Sequence, residues 1–375
     1  MKLLALAFAV MPGVASGFVH DDPDSFLGSS TRPANGVYAS LSYFTGNDWT
    51  SIRDFSGNWS RRYTPREGRN LAVAFLRAET GAAYGSWRIG YVHRREAIID
   101  ASRDTVDLLY LQNNNLPIAA GRRFDLELDA QLIEADGIKV DKGFEFRLAD
   151  ASSLRLNVAV SALRGSRTRS AAVRGSLAAT VPGTYAFDVN WNDVYSDKTY
   201  PFITPGSAAG SGHSIDAALE YEWGRGNRLS LSVLDLDSRI AWRDVPSTDA
   251  RAISATATRD AQGFVVYLPA VAGQNGRKEY IQHLDPKTTL RYSRTAGAFS
   301  VAAGAFVVRG IAIPQASVEY RFGEAWRVSL GREFRFGSFN MALRYKSLSL
   351  AVSAESRDPE RARSLGLAAQ LAWPL

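Results

Sequence analysis

Between Gln315 and Leu375 the chain alternates apolar and polar positions in five runs. Their apolar members are Val318, Tyr320, Phe322; Trp326, Val328, Leu330; Phe339, Met341, Leu343, Tyr345; Leu348, Leu350, Val352, Ala354; and Leu365, Leu367, Ala369, Leu371, Trp373. The positions between them are polar or small, among them Glu319, Arg327, Ser329, Asn340, Arg344, Ser349, Ser353 and Gln370. Strict period-two alternation predicts strands with one apolar and one polar face. The same pattern runs back to the start of the chain: Val37, Ala39, Leu41, Tyr43; Trp87, Ile89, Tyr91; Phe124, Leu126, Leu128; Phe144, Phe146; Leu154, Leu156, Val158; Tyr185, Phe187, Val189, Trp191. It predicts strands at 36–45, 70–79, 83–94, 105–112, 122–134, 142–149, 153–163, 171–180, 184–194, 215–223, 227–236, 251–259, 263–268, 287–294 and 298–308, followed by the C-terminal runs.

Turn chemistry falls at 80–82, 150–152, 181–183, 224–226, 295–297 and 323–324, with longer connections such as 46–69, 195–213, 237–250 and 269–286 between. Short turns alternating with long loops, between strands apolar on one side, describe an all-β antiparallel up-and-down barrel that crosses a membrane, with lipid outside and water within. An even number of strands is required, and the segments give about 18, within a range of roughly 16–20. No repeat of the blade type accompanies them.

The remaining sequence refines this picture. Met1-Lys2, the apolar run 3–10, Pro12-Gly13 and Ala15-Ser16-Gly17 read as a signal peptide over 1–17, followed by a short periplasmic lead-in over 18–35 and the barrel over 36–375. No apolar run of about 20 residues exists that would make a membrane-spanning helix. The chain has no cysteine, which excludes disulfides, a thiol nucleophile and thiolate metal sites. Its net charge of +6 is mostly arginine, but the arginines are interleaved with acids rather than gathered in a stripe, so nucleic acid is not an expected partner.

With these features on the page, the chain resembles a Gram-negative outer-membrane β-barrel of the porin-like type. The resemblance covers Gly36 to Trp373 and includes the terminal strand, where Ser364, Gly366, Leu367, Ala369, Leu371 and Trp373 resemble the assembly signal of such barrels. That signal ends on its aromatic, whereas this chain continues with Pro374-Leu375. The resemblance implies the outer membrane as location and outer-membrane lipid and barrel-assembly machinery as partners, and it admits a homo-oligomer.

Candidate chemistry is sparse. Of the four histidines, His20, His93, His213 and His283, only His213 has a serine beside it, and no third group completes a triad. Asp235 and Asp237 form a carboxylate pair without a partner histidine, and the acids at 21–24 lack the spacing of a calcium loop. Neither an enzyme nor a metal or other cofactor is expected. The informative residues are those of polar parity. Asp125, Glu127, Asp129, Glu145, Asp188, Asp216, Glu220 and Glu222 form an acidic set, and Arg291, Arg321, Arg327 and Arg344 a basic one. If both line the lumen, they either face each other across it, giving a transverse field that selects polar solutes, or pair and fill the bore. Arg332 has apolar parity and is expected at a rim, since a lipid-facing charge costs about 2–4 kcal/mol at the midplane. The expected function is a channel for small hydrophilic solutes with a bias to anions. The alternative is a conduit for a polymer such as an exopolysaccharide, with a separate periplasmic partner, suggested by Trp49, Trp59, Arg61, Arg62 and Tyr63 as a surface on which sugars could stack.

Overall fold

A computed structural model describes residues 35–375, except 57–58, 60–62, 149–151, 182–183, 201–207, 255–256, 260–264 and 268–269. The expected signal peptide and nearly all of the lead-in, with His20, lie outside the described residues, as do Arg61 and Arg62. The strands are β1 (Asn35–Asn47), β2 (Arg69–Tyr84), β3 (Trp87–Ser102), β4 (Arg123–Arg147), β5 (Ser153–Val181), β6 (Thr184–Tyr195), β7 (Ala209–Trp223), β8 (Asn227–Ile253), β9 (Ala257–Arg259), β10 (Val265–Tyr267), β11 (Val271–Gln282), β12 (Lys287–Ala296), β13 (Phe299–Val308), β14 (Ile311–Phe322), β15 (Trp326–Glu333), β16 (Phe339–Tyr345), β17 (Leu348–Ala354) and β18 (Ser364–Pro374). Among the described residues an α-helix, α1 (Arg103–Asn113), follows β3, and a 3-10 turn spans Asp54–Ser56.

The ring runs β1 to β5, then β7, β8 and β12 to β18, and closes where β18 pairs with β1 from Gly36↔Pro374 to Gly46↔Ser364. It contains 14 strands, with β6 and β11 outside it, which corrects the expectation of about 18. The miscount has a physical origin. β4, β5 and β8 are 25, 29 and 27 residues long, and each was read as two strands because the alternation fails half-way. There the strand leaves the apolar zone and continues into water, where nothing demands an apolar outer face. β6 sits directly above β7, both between β5 and β8, and β11 sits above β12 on the other side of β8. Two chain segments thus occupy one position in the wall. The residues expected as a loop at 237–250 are strand within β8, and much of 269–286 is β11.

Two other expectations change. The turn placed at 80–82 lies inside β2, and the hairpin turns at Gly85-Ser86 between Tyr84 and Trp87. The strand expected at 105–112 is α1. Val106, Leu108 and Tyr110 do alternate, but Thr105, Val106, Leu108 and Leu109 are the buried set, a helical face. Ser102 caps the helix by accepting the Thr105 N–H at 3.1 Å, and Thr105 Oγ1 in turn accepts the Glu127 N–H at 2.8 Å, tying α1 to β4.

Asn35, Pro374 and the turns 85–86, 224–226, 297–298, 323–325 and 346–347 share one rim, here the turn rim. Longer connections, 48–68, 103–122 and 355–363, crowd the other, the loop rim, although Arg309-Gly310 is a tight turn there. The connection from β5 to β6, expected among the short turns of the first rim, belongs to the loop-rim end. Outside, Val37, Leu41, Ile89, Ile138, Phe144, Val160, Leu229, Leu290, Val301, Val318, Leu330, Met341, Leu350 and Leu367 are all exposed and encircle the ring. Tyr84, Trp87, Phe299, Trp326 and Trp373 mark its turn-rim edge. An exposed apolar belt edged by aromatics on a closed antiparallel ring is the form of an outer-membrane barrel.

Candidate functional site in the lumen

Inward parity brings residues from opposite walls into contact at mid-height. Arg77 and Glu79 on β2, Arg94 and Glu96 on β3, Lys139 on β4, Asp216 on β7, Asp235 on β8 and Lys287 on β12 form one buried layer. Arg94 grips Asp235 through two nitrogens, at 2.8 and 2.6 Å, and reaches Glu96 from Nε at 2.9 Å. Lys287 Nζ lies 2.6 Å from Asp235 and 2.8 Å from Glu96. Arg77 meets Asp216 at 3.3 Å, and Lys139 meets Glu79 at 3.1 Å. The layer holds four cations and four carboxylates, so its formal charges balance. Arg77–Asp216 between β2 and β7, Arg94–Asp235 between β3 and β8, and Lys287–Glu96 between β12 and β3 cross the lumen.

A bulge aims Asp235 into this layer. On β7 only Asp216 separates Ile215 from Ala217, whereas on β8 Leu234, Asp235 and Leu236 separate Val233 from Asp237. Asp235 adopts φ 56°, a left-handed conformation that aspartate tolerates better than most residues. Its N–H donates to Asp216 Oδ1 at 3.0 Å, and Ser214 Oγ donates to its carboxylate at 2.6 Å. The extra residues restore parity beyond the bulge, so that Ser238, Ile240 and Trp242 again face inward.

Toward the turn rim the lumen holds a cavity of 360 Å³. Its lining includes Glu222 from β7, Arg228 and Ser230 from β8, Arg291 from β12, Ser317 and Glu319 from β14, Arg327 and Ser329 from β15, and Arg344 from β16, and it reaches the 224–226 turn. Arg228 pairs with Glu222 at 2.7 Å, and Arg327 lies 3.9 Å from Glu319.

Toward the loop rim the lumen is apolar. Phe44, Leu71, Val73, Phe75, Ile98, Phe306, Val308, Ile311, Ile313 and Phe336 pack together, with the Phe75 and Phe306 rings 5.9 Å apart from opposite walls. Phe336 enters from the 334–338 connection, 5.7 Å from Phe44, above Gly46, where a side chain would come within 2.6 Å of its ring. Asp48, fully buried, holds that connection down. It accepts from Arg335 Nε at 3.1 Å, Arg66 Nε at 2.9 Å and the Leu71 N–H at 2.8 Å. On the far side of the layer, Trp242 lies over Gly165 and Gly210 and donates to Gln282 Oε1 at 3.0 Å.

The residues singled out by parity are dispersed. Arg291, Arg327, Arg344 and Glu222 line the cavity, and Asp216 belongs to the charge layer. Glu220 is held within the wall by Arg155 at 2.8 Å. Arg321 donates to Gly297 O at the turn rim, and Glu145 is exposed near that rim opposite Arg155. Asp125, Glu127 and Asp129 stand at the loop rim beside α1, and Asp188 lies on β6, paired with Arg251 at 2.6 Å. Sequence reasoning missed Arg77, Glu79, Arg94, Glu96, Lys139 and Lys287, although Arg94, Glu96 and Lys139 share inward parity with Arg88 and Asp141; only contact across the ring joins them. Trp49 and Trp59 are buried with Phe55 against α1 and β4, and Tyr63 stacks on Tyr110 at 3.9 Å, so they present no surface for sugars. The Tyr63 phenol, bonded to Asp107, is pushed above its ordinary value by burial first and then by that carboxylate. His213 meets Asp237 at 3.2 Å on the outer face while Ser214 points inward, so the two share no site.

No family model and no curated protein matches this chain. Among solved structures it is similar to the Pseudomonas putida toluene transporter TodX, at 11% identity over 97% of each chain with a TM-score of 0.45. It is also similar to a Pseudomonas aeruginosa FadL homologue, at 11% identity over 94% of this chain and 92% of that one, TM-score 0.34. At these scores the likeness assigns no family. The architecture itself is that of an outer-membrane-type β-barrel.

Proposed function

We propose that this chain is an outer-membrane channel for small hydrophilic solutes, held shut at mid-lumen by the charge layer. The observation that carries this is the polar cavity at the turn-rim end of a lumen that holds a layer of paired, net-neutral charges at mid-height. Ion pairs can exchange partners without dismantling the wall, so the layer can serve as a gate as well as a seal. Short turns and both chain ends face the periplasm in such barrels, which puts the loop rim outside. The described charged lining of the cavity is four arginines and two glutamates, Arg228, Arg291, Arg327, Arg344, Glu222 and Glu319, which favours anions.

Planar-bilayer recording tests the reading. Purified barrel should give a quiet baseline broken by discrete, anion-preferring openings; no conductance at any voltage, even after Asp235→Ala loosens the layer, would sink it. A second reading follows from the aromatic packing of the loop-rim half, in which Phe44, Phe75, Phe306 and Phe336 would accept an uncharged aromatic solute. It predicts that such a solute quenches or shifts the openings while a sugar does not.

A further inference from the structure

Across β14, β15 and β16 the lumen face carries a row of like charges. Arg321 stands directly opposite Arg327, and Arg327 directly opposite Arg344. Strands lie about 4.8 Å apart, and like charges facing each other across a strand pair are unfavourable. The row continues into Ser349 on β17 and Gln370 on β18, so no carboxylate interrupts it. The acid that approaches Arg327, Glu319, is one rung away and 3.9 Å distant. The row borders the cavity, into which Arg327 and Arg344 project beside Arg291, with Ser317, Ser329 and Ser349 on adjoining positions.

We infer that this cavity is a saturable binding site for a small hydroxylated carboxylate. A carboxylate offers two oxygens to guanidinium forks such as those of Arg327 and Arg344. Serine hydroxyls donate and accept, which suits the hydroxyls of a polyol chain and gives an uncharged or unhydroxylated solute less to hold. The volume of 360 Å³ falls at the lower end of small-ligand pockets, about 300–1,000 Å³. The role of the site as a stop on a transport path rests on the channel reading, whereas its chemistry rests on the arginine row.

Equilibrium dialysis of the purified barrel in neutral detergent against gluconate tests the site, with glucose and propionate as probes lacking the charge and the hydroxyls. Gluconate should bind saturably, and Arg327→Gln with Arg344→Gln should weaken it at least tenfold. Arg327→Lys with Arg344→Lys, which keeps charge but removes the forks, should weaken it several-fold. Heat-modifiable migration on gels confirms that each variant is folded. Equal binding of gluconate and glucose, or of gluconate to the wild-type and Gln barrels, overturns the inference. Propionate binding as tight as gluconate removes the hydroxyl requirement and overturns it too. A barrel that binds gluconate yet never conducts keeps the site and loses the channel. One that conducts without binding gluconate loses the site alone.

Discussion

Strands β12 to β18 and the arc from β1 to β8 on which β6 is stacked share one ring but differ in length, regularity and what they place in the bore. The first group consists of strands of 7–12 residues, joined largely by tight turns, whose inward positions are mostly serine, alanine, glycine and arginine. The second contains strands of up to 29 residues with bulges, a helix and two segments stacked in one wall position, and it sends Arg77, Arg94, Asp216 and Asp235 into the lumen. One arc is wall and cavity lining. The other supplies most of the closure, and the two meet where Lys287 at the head of β12 joins Asp235 and Glu96.

The test that should break this contrast most sharply is Asp235→Ala. It leaves Arg94 and Lys287 buried without the carboxylate they share, and losing one member of a buried ion pair costs about 3–5 kcal/mol. Unfolding in detergent should show a loss of that order, together with a raised open probability in bilayers. The matching substitution in the regular arc, Glu319→Ala, removes a half-exposed partner of Arg327 and should cost at most about 1 kcal/mol. Equal losses would mean that the two arcs are not built differently.

How legible each arc was follows from the same contrast. In β12 to β18 every strand is bounded by lipid on one face and the lumen on the other, so alternation names each residue's direction and even the arginine row can be read from Arg321, Arg327 and Arg344. In β4, β5 and β8 the sequence obeys lipid for half its length and water for the rest. Periodicity therefore breaks within a continuous strand at 135–141 and 164–170, and one strand reads as two. The closure was illegible for another reason. Arg77 and Asp216 are 139 positions apart, and nothing in either segment announces the other. Ion pairing across a bore depends on ring size, which the miscounted strands had made too large.

Phe336→Ala probes the large side chain that the 334–338 connection of the regular arc sends into the apolar plug. Removing a buried phenylalanine from a packed cluster costs about 3–5 kcal/mol when the site cannot collapse. Here the 334–338 connection, still anchored by Arg335 on Asp48, can follow the void, so the expected loss is toward the lower end, about 3 kcal/mol. Its functional effect should exceed that of any cavity substitution on access from the loop rim, measured as labelling of a cysteine introduced at Val308 by a small impermeant thiol reagent. No gain in labelling would show that Phe336 fills space without stopping the lumen.

Exchanging Arg291, Arg327 and Arg344 together for Glu sharpens the assignment of the cavity. Stability should stay within about 1 kcal/mol, because these side chains are partly solvated. The anion-to-cation permeability ratio from reversal potentials should invert. An unchanged ratio would mean that ions which cross the layer do not pass this cavity.

The smallest effect is expected at Arg332, which stands one residue from the loop-rim end of β15 on the outer face, with its guanidinium 5.0 Å from the Phe339 ring. Near the interface a charge on the outer face costs about 0–1 kcal/mol rather than the 2–4 of the midplane, and contact with an exposed ring returns about 0.5–1 kcal/mol. Arg332→Leu should therefore leave unfolding in detergent unchanged to within about 1 kcal/mol. A gain of several kcal/mol would place Arg332 inside the hydrocarbon, lower the whole belt relative to the rims, and carry the charge layer with it away from the middle of the membrane.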